Sequence, residues 1–75
     1  MNKERRAEIR FVIERLQPCS DDLEKTKDAE DDARDKTHEN FHSGNVYIES
    51  EECSDTIGDA IDAINEAIGN LKSIV

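Results

Sequence analysis

The last third of the chain carries its most regular pattern of apolar positions. Six aliphatic residues recur there with alternating spacings of four and three: Ile57, Ile61, Ile64, Ile68, Leu71 and Val75. This spacing places all six on one stripe of an α-helix, as at the a and d positions of a coiled coil. Four further residues widen the stripe on one side: Cys53, Ala60, Ala67 and Ile74. The pattern predicts a helix that packs lengthwise against another helix.

A weaker pattern of the same kind runs through the first half of the chain. Its a and d positions are Ile9, Val12, Leu16, Cys19, Leu23 and Thr26, with Ile13 beside them. Farther along, the same register falls on Glu30, Ala33 and Thr37, so thinner packing is expected there. Phe11 falls outside the seam and is expected on the surface, where a lone aromatic is either unremarkable or a binding hot spot.

Pro18 interrupts this first helical pattern. Proline has no backbone N–H and its ring clashes with the preceding turn, so it kinks or breaks a helix. The residues that follow, with Ser20 as a capping residue and acids behind it, also suit a new helix start. However, the heptad register passes through Pro18 without a slip. One long helix, kinked near residues 14–18, is therefore favoured over two separate helices.

Together the two patterns predict one all-α domain over residues 1–75, folded as an antiparallel, coiled-coil-like helical hairpin. The first helix is expected over about residues 3–39, with Asn2 as its cap, and the second over about 47–73. The turn between them, about 40–46, contains Gly44 between Ser43 and Asn45, all of which favour turns or helix ends. In this arrangement Ala33 is expected near Cys53.

A two-helix unit of this size buries little apolar surface, so it is marginally stable on its own. The stripe of the second helix is also broader than one partner helix covers. We therefore expect the chain to pair with itself, most simply as a homodimer forming a four-helix bundle. The predicted self-association residues are the six aliphatic residues of the stripe: Ile57, Ile61, Ile64, Ile68, Leu71 and Val75.

Composition limits the classes of function. The net charge is −9, charged residues make up 39% of the chain, and two Phe, one Tyr and no Trp are present. Such a chain has no room for a large catalytic cleft, and its charge argues against direct binding to nucleic acid or an anionic membrane. No apolar run approaches the roughly 20 residues of a membrane span or resembles the core of a signal peptide. We expect a cytoplasmic protein.

The acidic residues are placed unevenly. Residues 1–19 carry five basic and three acidic groups, a net charge of +2, whereas residues 20–39 and 40–75 carry −5 and −6. On the second helix the acids recur at three- and four-residue steps, about 5–6 Å apart, a spacing loosely like that of successive phosphates. The candidate partner-binding residues are Asp28, Asp31, Asp32, Asp35, Glu52, Asp55, Asp59, Asp62 and Glu66. The alternative is a face that only keeps the protein in solution.

Two patterns suggest other chemistry. His38-Glu39-Asn40-Phe41-His42 matches the H-E-x-x-H pattern of zinc proteases, but it lies at a predicted helix end, in a chain with no room for a cleft. Cys19 and Cys53 are too few for a disulfide scaffold. In the predicted hairpin they lie about 20 Å apart along the axis, too far for a disulfide. We expect no metal, no cofactor and no enzymatic activity, with both histidines on the surface.

Several segments resemble small acidic proteins of bacteriophages and prophages. These are Met1-Asn2-Lys3-Glu4-Arg5-Arg6, Val12-Ile13-Glu14-Arg15-Leu16, Glu39-Asn40-Phe41, Ala60-Ile61-Asp62 and Glu66-Ala67-Ile68. The resemblance implies a mobile-element protein acting in the cytoplasm of a bacterial host. Small acidic proteins of that origin include inhibitors of host defence, among them anti-CRISPR and anti-restriction proteins.

Two classes of function therefore stay open. The first is an acidic inhibitor that blocks the basic surface of a host nucleic-acid-binding protein. The second is a structural coiled-coil module that assembles with itself or with another component, without inhibitory activity.

Overall fold

The computed structural model describes residues 1–36 and 44–75. Two helices make up this part of the chain: α1, Lys3–Asp35, and α2, Asn45–Lys72. They pack side by side in opposite directions, because Ser20 contacts Asn65 whereas Arg34 contacts Ser50. The hairpin measures 59 × 14 × 13 Å. The predicted all-α helical hairpin is confirmed, and no strand occurs among the described residues.

The start of α1 depends on Asn2. Its backbone is extended, with φ −86° and ψ 173°, and its side-chain Oδ1 accepts a hydrogen bond of 2.9 Å from the N–H of Arg5. This satisfies one of the amides that a helix N-terminus leaves without a partner. Asn2 is therefore the N-cap of α1, as predicted. At the other end Asp35 is the last residue of α1 and Lys36 its C-cap; the expected helix end near residue 39 lies within residues 37–43, outside the described part.

Pro18 lies inside α1, which continues through it as one helix. The alternative of two separate helices is therefore wrong. Pro18 and Glu14 are both exposed, and proline has no N–H to donate to the Glu14 carbonyl. A kink at this point stays a prediction.

The seam of α2 follows the predicted stripe. Ile68 is 5% exposed and is the buried hydrophobic residue of the described hairpin. Ile57, Ile61, Ile64, Leu71 and Val75 are half-buried along the same stripe. The stripe also extends toward the turn through polar residues that the apolar pattern does not predict, namely Ser54, Ser50 and Tyr47.

The seam of α1 differs from the expected one. Ile9, Leu16 and Leu23 are half-buried as expected, but Val12, Cys19, Thr26 and Ala33 are exposed. Their places in the seam are taken by the following residues: Ile13, Ser20, Lys27 and Arg34. The helix is thus turned by about one residue relative to the prediction. The reason is that Ile13 buries more apolar surface than Val12, and that Ser20 and Arg34 find hydrogen-bond partners on α2.

Phe11 lies on the surface as predicted, with 59% of its area exposed. The Arg15 guanidinium lies over its ring, 4.7 Å from the centroid. This arrangement is a cation–π contact, which covers one face of an otherwise exposed aromatic ring.

The glycines of α2 give a test of the packing. Gly69→Ala is expected to raise the free energy of unfolding by about 1 kcal/mol, because alanine is the better helix former. An added Cβ at Gly69 meets no heavy atom within 4 Å, whereas at Gly58 it lies 3.4 Å from Lys27 Cε. Gly58→Ala should therefore gain less, since the lysine side chain must adjust. Urea unfolding followed by circular dichroism measures both; a Gly69→Ala variant no more stable than the wild type would contradict this packing.

Candidate functional site

The outer face of α2 carries a ladder of carboxylates. Its five members are Glu52, Asp55, Asp59, Asp62 and Glu66, and all five are exposed. They lie on the side of α2 opposite the seam, at three- and four-residue steps. Neighbouring side chains at such steps lie about 5–6 Å apart between Cβ atoms. We call this set the acidic ladder.

The predicted acidic residues of α1 do not join that ladder. Asp28, Asp32 and Asp35 are exposed on the outer side of α1, so they point away from α2 and its ladder. Asp32 also pairs with Lys36 at 3.0 Å. The structure therefore places the predicted partner-binding residues on two separate surfaces.

Asp31, the fourth predicted acid of α1, lies in the seam. Its carboxylate pairs with Lys27 at 3.0 Å and with Arg34 at 2.8 Å. Arg34 in turn donates hydrogen bonds to Ser54 at 3.0 Å and Ser50 at 3.4 Å on α2. This charged network therefore ties the two helices together near the turn, where aliphatic residues are lacking.

Another hydrogen bond crosses the seam nearer the middle of the hairpin. The buried Ser20 hydroxyl donates to Asn65 Oδ1 at 2.9 Å. Beside the charged network, Ser50 donates to Glu30 at 3.1 Å. Apolar periodicity misses these contacts. The available signal was a polar stripe at helical spacing on α1, Lys27, Glu30 and Arg34, facing the serines of α2.

The network changes the ionisation of its members. Hydrogen bonds from Ser54, Lys27 and Arg34 hold the pKa of Asp31 well below its usual range. The same pairing raises the pKa of Lys27 and of Arg34, chiefly through their hydrogen bonds to Asp31. All three groups therefore stay charged around neutral pH.

A groove of about 550 Å³ opens between the helices at the turn end. Its lining consists of Glu30, Ala33, Arg34, Val46, Tyr47, Glu49, Ser50 and Cys53. Ala33 and Cys53 thus lie together as predicted. Val46 is 83% exposed at the edge of this groove. The ring of Tyr47 lies 6.0 Å from the Arg34 guanidinium.

The predicted self-association residues line the seam of the hairpin itself. Ile57, Ile61, Ile64, Ile68, Leu71 and Val75 face α1 and are half-buried or buried there. Their role in pairing two chains stays a prediction. Exposed apolar residues include Val12 on α1, Val46 and Ile48 on α2, and Ile74 just beyond α2.

The remaining candidates for chemistry are the two cysteines and the H-E-x-x-H pattern. Cys19 and Cys53 are free and exposed. Among the described residues, no group of three or more His, Cys, Asp or Glu side chains is placed to hold a metal ion. The H-E-x-x-H pattern, with His38 and His42, lies outside the described residues.

The low pKa of Asp31 makes a prediction about acid stability. A carboxyl whose pKa is lower in the folded than in the unfolded chain stabilises the fold above its ordinary pKa of about 4. That stabilisation is lost as the pH falls below this value toward the folded pKa. Asp31→Asn should therefore lower the free energy of unfolding at pH 7, and the difference from wild type should shrink below about pH 4.

Asp35→Asn is the matched control, since it removes the same charge from an exposed position one turn away. Urea unfolding at a series of pH values measures both variants. Equal effects of the two substitutions at pH 7 would show that the network does not stabilise the hairpin.

None of the helices in the described part is long and apolar enough to cross a membrane. Comparison with known proteins gave no matching family model, no matching curated protein and no matching solved structure.

Proposed function

We propose that the chain is a non-enzymatic acidic binding protein whose acidic ladder occupies the basic surface of a nucleic-acid-binding protein. The observation that carries this proposal is the exposure of all five ladder carboxylates along one side of α2. A regular row of negative charge attracts surfaces that are built to hold phosphates. Complementary charge also steers such partners together and speeds their encounter.

The ladder of α2 suits this role better than the acids of α1. Lys72 is the basic residue of α2, and it lies at the end of the helix beyond the ladder. The carboxylates of the acidic ladder therefore have no neighbouring cation on α2. The acids of α1 alternate with Lys25, Lys27, Arg34 and Lys36, and two of them are paired, Asp31 with Arg34 and Asp32 with Lys36.

The resemblance to small phage and prophage proteins supports a setting for this activity. We propose that the chain acts in the cytoplasm of a bacterial host, as an inhibitor of the anti-CRISPR or anti-restriction type. Its partner would be a host protein whose basic groove binds DNA or RNA. Nucleic acid itself is not the expected partner, because the net charge of −9 repels phosphate.

Self-association is the second candidate function, and a different observation favours it. Val12, Val46 and Ile74 are exposed, while Ile68 is the one buried hydrophobic residue of the described hairpin. A homodimer in the form of a four-helix bundle would cover them. In that bundle we expect α1 to bend at Pro18, where the Glu14 carbonyl has no amide partner. A coiled-coil module of this kind needs no inhibitory activity.

Charge reversal in the ladder tests the first proposal. Asp59→Lys combined with Asp62→Lys should abolish capture of basic nucleic-acid-binding proteins from a bacterial lysate, as identified by mass spectrometry. Wild-type capture should weaken steeply as salt is raised, because exposed charges are screened over about 10 Å at 0.1 M. A DNA oligonucleotide should release the captured protein by competing for its groove.

Glu8→Lys combined with Glu14→Lys is the control, because it changes the net charge equally at exposed positions of α1 away from the ladder. Circular dichroism should show an intact hairpin for both double variants. Capture that is insensitive to salt and to the ladder substitutions would refute the proposal.

The homodimer makes a separate prediction about mass. Light scattering at micromolar concentration should give twice the 8.5 kDa of one chain. A mass of one chain would refute self-association and leave the inhibitor proposal standing.

A further inference from the structure

We propose that a second copy of the chain docks head to tail along one side of the hairpin, which we call the lateral face. This face is lined by Val12, Cys19 and Thr26 on α1, by Val46 and Cys53 on α2, and by Ile74 just beyond α2. The inference rests on the proposed self-association and adds the surface and the orientation. The dimer thereby gains an interface outside the seam that holds each hairpin together.

The position of the lateral face follows from the observed seams. On α1 the exposed residues Val12, Cys19, Thr26 and Ala33 recur every seven residues, each directly before a seam residue. On α2 and just beyond its end the same spacing holds the exposed Val46, Cys53 and Ile74 and the half-buried Ala60 and Ala67. Both sets hold the g position of a heptad, and in an antiparallel pair of helices the g positions lie on the same side. The groove confirms this at the turn end, where Ala33, Val46 and Cys53 line one cavity.

The two sides of the hairpin differ in chemistry. On the opposite side, next to the seam, lie charged and polar residues, among them Arg10, Gln17, Glu24, Glu51 and Lys72. None of these nine g positions carries a charge. Interfaces are depleted in charge at their centre, so the lateral face is the side that suits a partner.

The sizes of its side chains make the lateral face complementary to itself. Val12 and Ile74 protrude at the open end, with 37% and 46% of their areas exposed. The turn end carries the groove of about 550 Å³, and the middle holds the small residues Thr26 and Ala60. A two-fold axis through this middle brings Val12 and Ile74 of each copy to the groove of the other. In the alternative dimer, with the turns of both copies at the same end, the two grooves would face each other and leave a void, which costs stability.

The area of the face approaches what a dimer needs. Along the hairpin axis, Val12 and Val46 are separated by the length of about 28 helical residues. At 1.5 Å per residue this distance is about 42 Å. With a width of 14 Å, the flat projection is about 600 Å² per copy, and the corrugated surface is larger. Stable interfaces bury about 800 Å² per partner. One like-charge approach, Arg15 to Lys36 of the second copy, lies at the exposed edge, where water and salt screen it.

The two native cysteines provide the test. Within one chain, Cys19 and Cys53 are separated along the hairpin axis by the length of about 14 helical residues, or about 20 Å. A bismaleimide that spans about 10 Å, one interhelical distance, therefore does not join them. In the head-to-tail dimer Cys19 of each copy comes level with Cys53 of the other, and both point into the interface. If the turns of the two copies lay at the same end, Cys19 of one copy would instead meet Cys19 of the other, and Cys53 would meet Cys53 of the other.

We expect the bismaleimide to convert wild-type protein to a covalent dimer. Cys19→Ser and Cys53→Ser should each lose this product, and an equal mixture of the two variants should restore it in part. A dimer that still cross-links in either single variant overturns the orientation. A dimer by light scattering that cross-links in none of these samples overturns the lateral face, and a monomer overturns self-association itself.

A second pair of variants tests the face without cysteine chemistry. Thr26→Arg places a charge at the expected two-fold axis and should reduce the mass to that of one chain. Gln17→Arg adds the same charge on the polar side and should leave the dimer intact. Both residues are exposed, so circular dichroism should show an unchanged hairpin. A Thr26→Arg variant that stays dimeric would overturn the proposal.

Discussion

The hairpin depends on one strip of aliphatic side chains between α1 and α2. Each helix alone is marginal in water, since helices gain most of their stability from packing an amphipathic face. Toward the open end the strip consists of Ile and Leu residues around Ile68. From Lys27 to the turn it is replaced by the network of Asp31 and Arg34 with the serines of α2. Apolar burial thus anchors one half, and hydrogen-bonded charge aligns the other.

The contrast between the two helices shows what the sequence can predict. The α2 seam was predictable because six aliphatic residues repeat there without a competing pattern. In α1, Val12 and Ile13 are both apolar, and Cys19 and Ser20 are both small, so two registers fit nearly equally. The choice depends on partners across the seam, such as Asn65 for Ser20, which periodicity within one helix does not contain.

The same limit applies to the acidic residues. Sequence spacing grouped Asp31 with Asp28, Asp32 and Asp35 as one surface. A turn of α1 by one residue is enough to place Asp31 in the seam while its neighbours stay outside. The ladder of α2 was predictable since it lies opposite an unambiguous apolar stripe. A helix face that follows from a single apolar repeat in the helix itself can therefore be predicted from sequence. A face that depends on contacts with the partner helix cannot.

Three surfaces of α2 differ in character: the seam packs against α1, the lateral face is where we propose that a second copy docks, and the ladder faces solvent. In the proposed head-to-tail dimer the two α2 helices would lie next to each other, so their ladders would form one doubled row on a single edge. The two ladders repel each other, which opposes dimerisation at low salt, while the doubled row strengthens attraction to a basic surface. Salt therefore acts in opposite directions on the two contacts, because screening weakens both the repulsion and the attraction. A basic partner that lies across the row would neutralise that repulsion, so binding of the partner and pairing of the chains would favour each other.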